Sequence, residues 1–315
     1  MNVLDAAGPQ AGKLVVLWWV MFWVSVAVLA LVLIALAYAV VRGRRHDGGR
    51  RPAPEPPPAR RAGVVIGAAT VVTTLILIAL LVTSVVTGRA VSAFSGPDPL
   101  TITVTGHQWW WSARYDDGEP SERFEIANEL HVPVGRPVRL KLQTVDVIHS
   151  LWVPNLHGKR DLIPARTNEL WLQADREGVF NGQCAEYCGL QHAHMALRIV
   201  AESPQAFDTW RRQQMQPAPE PTDALVQRGR DAFLAGPCVL CHTVRGTTAG
   251  GRVGPDLTHV ASRATLAAGT IPNTPGHLSG WIADAQGVKP GTRMPTLGLP
   301  PDELLAILAW LETLR

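Results

Sequence analysis

Two stretches of the chain carry no charged residue at all: 28 positions from Leu14 to Val41, between Lys13 and Arg42, and 24 from Val64 to Thr87. Both exceed the roughly 20 apolar residues a helix needs to cross a bilayer. Trp18, Trp19 and Trp23 sit near the start of the first, where an interfacial aromatic belt belongs. A secretory signal peptide is the competing reading of this segment, disfavoured by a basic flank of Lys13 alone and by an apolar run longer than such peptides use. The connector, residues 42–62, holds seven arginines against Asp47 and Glu55. A short basic loop stays in the cytoplasm, so the pattern predicts a transmembrane hairpin (spans 14–41 and 63–88). The segment 1–13 and everything after Arg89 are then placed on the outer side of a plasma membrane.

Beyond residue 88 the period shortens from helical to two. Residues 101–111 (TITVTGHQWWW), 137–144 (PVRLKLQT) and 168–174 (NELWLQA) alternate or are β-branched, with Pro, Gly and Asn between them. Each reads as one strand of a β-sandwich spanning 89–215, with a helix only at its end, near 204–214. Residues 216–221 (QPAPEP) form a proline-rich linker, reaching about 19 Å if extended as polyproline at about 3.1 Å per residue. In 222–315 the helical period returns. One helix is expected in DALVQRGRDAFLAG, with Gly229 at a close contact; another near the C-terminus carries Leu304, Leu305, Ile307, Leu308, Leu311 and Leu314 as its stripe. The chain is therefore multidomain: a two-helix hairpin, a β-sandwich and an all-α domain.

Composition sharpens this picture in two places. Charged residues make up 17%, below the usual quarter, and the net charge is only +3 with its basic residues concentrated in one loop, which excludes nucleic acid as a natural partner. The four cysteines form one C-x3-C (Cys184, Cys188) and one C-x2-C (Cys238, Cys241), with none left for a long-range disulfide framework.

The first pair lies in CAEYCGLQHAHM, residues 184–195, a loop between two predicted strands. Three chemistries compete for it. A short Cys184–Cys188 disulfide leaves His192 and Met195 without a role. Zinc suits two thiolates and two imidazoles, and spacing alone does not separate it from copper. Met195 favours copper, since a thioether suits copper and is rarely a zinc ligand; two cysteines in one loop suggest two copper ions bridged by both sulfurs. His194 competes with His192 as a ligand, and C-x3-C-x3-H spacing favours His192. His107, His131 and His157 match no metal spacing and read as surface or core residues.

The second pair lies in CVLCH, residues 238–242, the pattern that attaches a c-type haem through two thioether bonds with His242 as proximal ligand; a zinc or redox pair is the alternative. Met294, in KPGTRMP, is the only methionine after Met215, and its thioether can supply the sixth ligand. His259 and His277 are the alternatives to it.

Asp146-Val-Ile-His149-Ser-Leu-Trp-Val-Pro154, followed 35 residues after His149 by C-x-E-x-C-x3-H-x2-M, resembles the copper domain of cytochrome c oxidase subunit II; the two spans and Gly106-His-Gln-Trp-Trp-Trp-Ser112 resemble it too. Gly254-Pro-Asp-Leu257 resembles the haem-packing loop of class I cytochromes c, in which the proline carbonyl orients the proximal histidine. Together they resemble the subunit II of caa-type oxidases, which carry a fused cytochrome c domain. The resemblance implies a cupredoxin-like sandwich with a binuclear copper centre. Cys184 and Cys188 would bridge the two ions, His149 and His192 would bind one each, and Met195 and the Glu186 carbonyl would be weak ligands. It also implies one haem c, a magnesium or manganese ion shared between the Glu186 side chain and subunit I, and electron input through Trp109. Trp110 and Trp111 read as ordinary strand residues. The implied partners are subunits I and III and a cytochrome c or an upstream reductase. Oxygen reduction and proton pumping would lie in subunit I, since no acid–base dyad or open metal site stands here. An electron-input subunit of a nitric oxide reductase, or a membrane-anchored carrier without a catalytic partner, is compatible with the same residues.

Overall fold

Ten strands between Leu100 and Glu202 build a sandwich of two five-stranded sheets in the computed structural model of the protein, which describes residues 2–46 and 59–315. The strands are β1 (Leu100–His107), β2 (Trp110–Tyr115), β3 (Phe124–Ala127), β4 (Glu129–Pro133), β5 (Val138–Thr144), β6 (His149–Trp152), β7 (Arg160–Leu162), β8 (Asn168–Leu172), β9 (Gly178–Cys184) and β10 (Ala196–Glu202). One sheet runs β3-β2-β1-β5-β8 and the other β4-β10-β9-β6-β7. Both contain one parallel pair, β1 with β5 and β10 with β4. Alternation dictates which side faces in: along β5 the positions Val138, Leu140 and Leu142 are fully buried, and along β10 so are Leu197 and Ile199.

The run 101–111, expected as one strand, is two. β1 ends at His107 and β2 starts at Trp110, paired antiparallel with His107 opposite Trp110. The turn is made of Gln108 and Trp109, and it brings Trp109 to the end of the sandwich where the cysteine loop lies. Among the three tryptophans, Trp111 is fully buried and Trp110 stacks on His107, with ring centroids 4.1 Å apart.

Residues of the N-terminal segment pack on this sandwich. The Ala7 amide donates to the Asn155 carbonyl at 2.7 Å, and the Asn155 side chain donates to the carbonyls of Asn2 and Asp5. Residues 12–94 form a separate unit containing most of α1 (Pro9–His46) and all of α2 (Ala59–Ser92). Both helices are long and apolar enough to cross a membrane, and each extends past the uncharged run that predicted it. Lys13 Nζ, near the start of α1, donates to the Ala90 carbonyl, near the end of α2, as antiparallel neighbours would. Residues 47–58, the middle of the basic connector expected at 42–62, lie outside the described residues.

α3 (Pro204–Gln214) closes the sandwich, capped by the Ser203 hydroxyl, which accepts from the Ala206 amide. The proline-rich stretch after it is not a free tether. The Ala218 amide donates to the Arg245 carbonyl at 2.9 Å, and Arg245 Nη1 reaches back to the Gln214 carbonyl at 3.1 Å.

The C-terminal domain holds α4 (Ala224–Ala235), α5 (Pro275–Ala283), α6 (Ala285–Val288) and α7 (Pro301–Leu311), with a two-residue ladder of β11 (Thr265–Leu266) and β12 (Ile271–Pro272). Asp223 caps α4 by accepting from the Leu225 and Val226 amides. α4 crosses α7 at Gly229, where a Cβ would overlap the Ala306 carbonyl. The buried face of α7 is Ala306, Ile307, Leu308, Trp310 and Leu311. Leu305, expected in the stripe, is instead 57% exposed, because Trp310 takes the core position against Phe233.

His131 is held between two carboxylates, Nδ1 lying 3.2 Å from Glu202 Oε2 and Nε2 3.6 Å from Glu129 Oε1, while its ring stacks on Trp210. Burial alone would lower its pKa; the carboxylates outweigh burial and raise it above the usual 6.5.

Two outcomes follow from this packing. Gly229→Ala should gain up to about 1 kcal/mol from helix propensity but lose more to the backbone overlap, so the C-terminal domain should melt earlier while the sandwich keeps its midpoint. A later melt would show that the helices slide apart freely. A raised histidine pKa stabilises fully below pH 6.5 and is lost as pH climbs through the folded value. The urea midpoint of the sandwich should therefore fall as pH rises from 6.5 through the raised histidine pKa, and His131→Gln should flatten that slope.

Candidate metal centre and haem cavity

β9 ends at Cys184 and β10 begins at Ala196, and the Cys184 amide donates to the Met195 carbonyl at 2.9 Å, closing the base of the loop between them. The loop is anchored a second time where the Ala185 amide donates to the Ser150 carbonyl, beside His149 in β6. Gly189, at φ +114°, makes the sharp turn within it, and a Cβ there would stand 3.1 Å from Gln108 Nε2 and 3.2 Å from the Trp109 ring.

These anchors gather the donors expected from the sequence. Cys184 Sγ lies 3.8 Å from Cys188 Sγ, 3.8 Å from His149 Nδ1 and 3.2 Å from the Glu186 carbonyl oxygen. Cys188 Sγ lies 3.6 Å from His192 Nδ1 and 3.8 Å from Met195 Sδ. A sulfur pair at that distance is not a disulfide, which needs about 2.05 Å. It is the separation of two thiolates sharing a tetrahedral metal, since two metal–sulfur bonds of about 2.3 Å subtend about 3.8 Å. Cys184, Cys188, His149 and Met195 are all buried, so the donors are removed from water. His194 is engaged elsewhere, its Nδ1 2.8 Å from Gln191 Oε1.

The electrostatics suit a cation. The neighbouring Cys188 sulfur shifts the Cys184 pKa below the ordinary thiol range, the direction that favours a metal-binding thiolate. Asp146 Oδ1 accepts from His149 Nε2 at 2.8 Å, which turns Nδ1 toward Cys184. Burial would raise the Asp146 pKa, but His149 and the amides of Gln108 and Val147 donate to it and bring it to about 2. Asp146 was visible in the sequence only as part of a motif; a carboxylate three residues before a ligand histidine was the available signal. Gln108, whose Nε2 donates to the Cys188 carbonyl at 2.7 Å, gave none.

In the C-terminal domain a cavity of about 290 Å³ is lined by Cys238, Cys241, His242 and Met294 together with apolar side chains such as Trp281 and Leu311. His242 Nδ1 donates to the Pro255 carbonyl at 2.8 Å, leaving Nε2 with a free lone pair, and burial lowers its pKa so that the ring stays neutral. Gly254 lets that loop close over the ring, since a Cβ would come within 2.6 Å of His242 Cε1. A flat, apolar, iron-bearing macrocycle fits such a lining: two thiols to fix it, an imidazole on the iron and a thioether for the opposite side. The alternative axial histidines are used otherwise. His259 has Nδ1 2.7 Å from the Arg315 carbonyl and Nε2 3.2 Å from that of Gln216, and His277 Nδ1 lies 2.7 Å from the Thr274 hydroxyl at the start of α5.

The two sites share a wall. Gln108, Trp109, Trp110 and Asn128 of the sandwich line the cavity of the C-terminal domain. Trp109 is only 8% exposed; its Nε1 donates to the Cys188 carbonyl at 3.0 Å and its backbone carbonyl accepts from Lys289 Nζ at 2.7 Å. The chain's own C-terminal domain thus covers the tryptophan that the sequence had suggested would meet an external donor.

Residues 117–203 match the family described as the periplasmic domain of cytochrome c oxidase subunit II, and residues 226–315 match cytochrome c. Cytochrome c oxidase subunit 2 of Alkalihalophilus pseudofirmus is 35% identical over 326 aligned positions, which cover 100% of this chain and 91% of that protein. The subunit 2 of a Bacillus species is 31% identical, over 69% of this chain and 62% of its own length. The crystal structure of the periplasmic domain of subunit II of cytochrome oxidase from Bradyrhizobium japonicum aligns with 36% identity and a TM-score of 0.36, covering 38% of this chain and 95% of that one. The chain belongs to the cytochrome c oxidase subunit 2 family and carries a cytochrome c domain in the same polypeptide.

Proposed function

We propose that this chain is the electron-input subunit of a plasma-membrane cytochrome c oxidase, receiving electrons at its covalent haem and delivering them through a binuclear copper centre to subunit I, where oxygen is reduced. The observation that carries this reading is the position of Trp109, which lines the haem cavity with one part of its surface and donates to the Cys188 carbonyl with its Nε1. When bound, the haem and the copper pair each supply reversible one-electron chemistry.

The residues have separable duties. Cys238 and Cys241 would tether the haem, with His242 and Met294 on its iron. Cys184, Cys188, His149, His192, Met195 and the Glu186 carbonyl would hold the copper pair. Asp146 orients His149. The apolar lining keeps water from the haem, and the buried sulfurs keep it from the copper. The division follows the sequence: a copper domain at 89–215, a connector at 216–221 and a haem domain at 222–315. Packing of residues 2–11 on the sandwich supports a topology with the N-terminus and both metal domains on the same, outer side. Glu186 would face subunit I and a magnesium or manganese ion there. Subunit III and a cytochrome c or reductase complete the set of partners.

A soluble fragment beginning near Ser92, free of partner subunits, should contain two copper ions for each covalent haem iron. Cys184→Ser should abolish the near-infrared band of the coupled copper pair and leave the haem spectrum intact; a coupled pair surviving that change would overturn the assignment. Deleting residues 222–315 should keep the copper band, because its ligands all lie between His149 and Met195. Turnover from a small reductant should collapse and return when soluble cytochrome c is added to the uncovered Trp109. Full turnover without that addition would remove the haem from the path.

A further inference from the structure

Lys289 stands five positions before Met294 in the loop that brings the thioether to the haem cavity, and it is 2% exposed. Its ammonium donates three hydrogen bonds: to the Trp109 carbonyl at 2.7 Å, the His194 carbonyl at 2.6 Å and the Ala267 carbonyl at 2.9 Å. The acceptors come from three separate segments. Trp109 is in the β1–β2 turn, His194 precedes Met195 in the copper loop, and Ala267 is in the β11–β12 turn of the haem domain. One side chain therefore ties the haem domain to both parts of the sandwich that electrons would cross.

We propose that Lys289 is the positioning residue that seats the Met294 loop on Trp109 and thereby sets the separation over which the covalent haem serves the copper site. This rests on the relay reading above and adds the element that holds the relay in register.

The choice of residue follows from geometry. Three carbonyls converging on one point need three donors from a compact, roughly tetrahedral head, which an ammonium has; a guanidinium presents its donors in a plane. An apolar side chain would leave all three carbonyls buried and unpaired. The surrounding contacts act along the same seam. Gln191 Nε2 donates to the Pro290 carbonyl at 2.8 Å and the Ala196 amide donates to the Ala268 carbonyl at 3.0 Å. Gly291, at φ +84°, lies flat against Leu190 and Trp109, where a Cβ would be 3.3 Å from Leu190 Cδ2. These contacts bring two turns of the haem domain, at 264–269 and 289–291, against the copper loop; only Lys289 spans all three segments.

The test uses the complete oxidase carrying Lys289→Met. The thioether–iron and near-infrared copper bands are read first, then the rate at which a flash-reduced covalent haem passes its electron to copper, then deuterium exchange at the Ala196 amide. Both bands should persist, transfer should slow by ~10-fold or more through loss of a buried charge-assisted contact, and the Ala196 amide should exchange faster. A purely structural lysine would alter melting without altering transfer between two intact sites. Should the loop fail to mature, Ala196→Leu opens the same seam from the copper side, because Gly269 already packs tightly on Ala196. An unchanged transfer rate in either variant that retains both bands overturns the proposal. So does an Ala196 amide in the unaltered complex that exchanges as fast as it does in the chain lacking residues 222–315. If the unaltered complex lacks either band, or shows no haem-to-copper transfer, the relay reading fails instead.

Discussion

Closure of the copper loop by the Cys184 amide and the Met195 carbonyl is the constraint on which the remaining chemistry depends. Between those residues the chain forms no strand and only one 3-10 turn, His192–His194, so regular structure does little to fix five donor groups in space. The loop is held by its ends, by Ala185 on Ser150, and by the Gln108 and Trp109 side chains donating to the Cys188 carbonyl. A sandwich supplies this framework well, because β9 and β10, which flank the loop, are paired inside one sheet and cannot shift register without turning their buried faces outward. Rigid donors around a metal pair lower the rearrangement that accompanies each change of charge.

Charge inside the molecule is handled with little direct pairing at the seam between the domains. Lys289 sits among carbonyl oxygens, and burial pushes its pKa down to about 7. Arg263, half-buried, donates to the Asp256 carbonyl, and burial likewise lowers its pKa. Carbonyl dipoles solvate such cations without adding a formal negative charge beside the metal sites. At the copper site the sign is reversed. Asp146 is kept ionised by two amides and an imidazole, so a fixed negative charge backs His149.

The candidate donors were legible in the sequence because each loop brings most of them in a fixed local spacing, and local spacing survives any arrangement of the rest. The membrane helices were legible because a bilayer sets a length and tolerates almost no charge within it. The alternating strands β5 and β10 were legible for a similar reason, one face being wet and one dry. The break between β1 and β2 was hidden: Gln108 and Trp109 make the turn without a Gly, Asn or Asp in it, Gly106 lies inside β1, and the tryptophans run on into β2. Leu305 was misplaced because period alone cannot choose between neighbouring apolar positions on a short helix, and Trp310 took the larger hole. Lys289 and Gln191 were invisible, since a polar residue in a polar-looking loop gains its meaning only when a distant segment closes over it. The connector 216–221 looked like a free spacer for the same reason.

The crossing at Gly229 fixes an order of assembly. α4 begins the haem domain and α7 ends it, yet the two are each other's main packing partners, with Gly229 against the Ala306 backbone and Phe233 against Trp310. During vectorial synthesis the sandwich has all ten of its strands once residue 202 has emerged, whereas the haem domain cannot close until its final helix is delivered. CVLCH therefore emerges well before the fold that will bury it. Both thiols are reachable in the interval that follows, and that interval ends when α7 docks on α4.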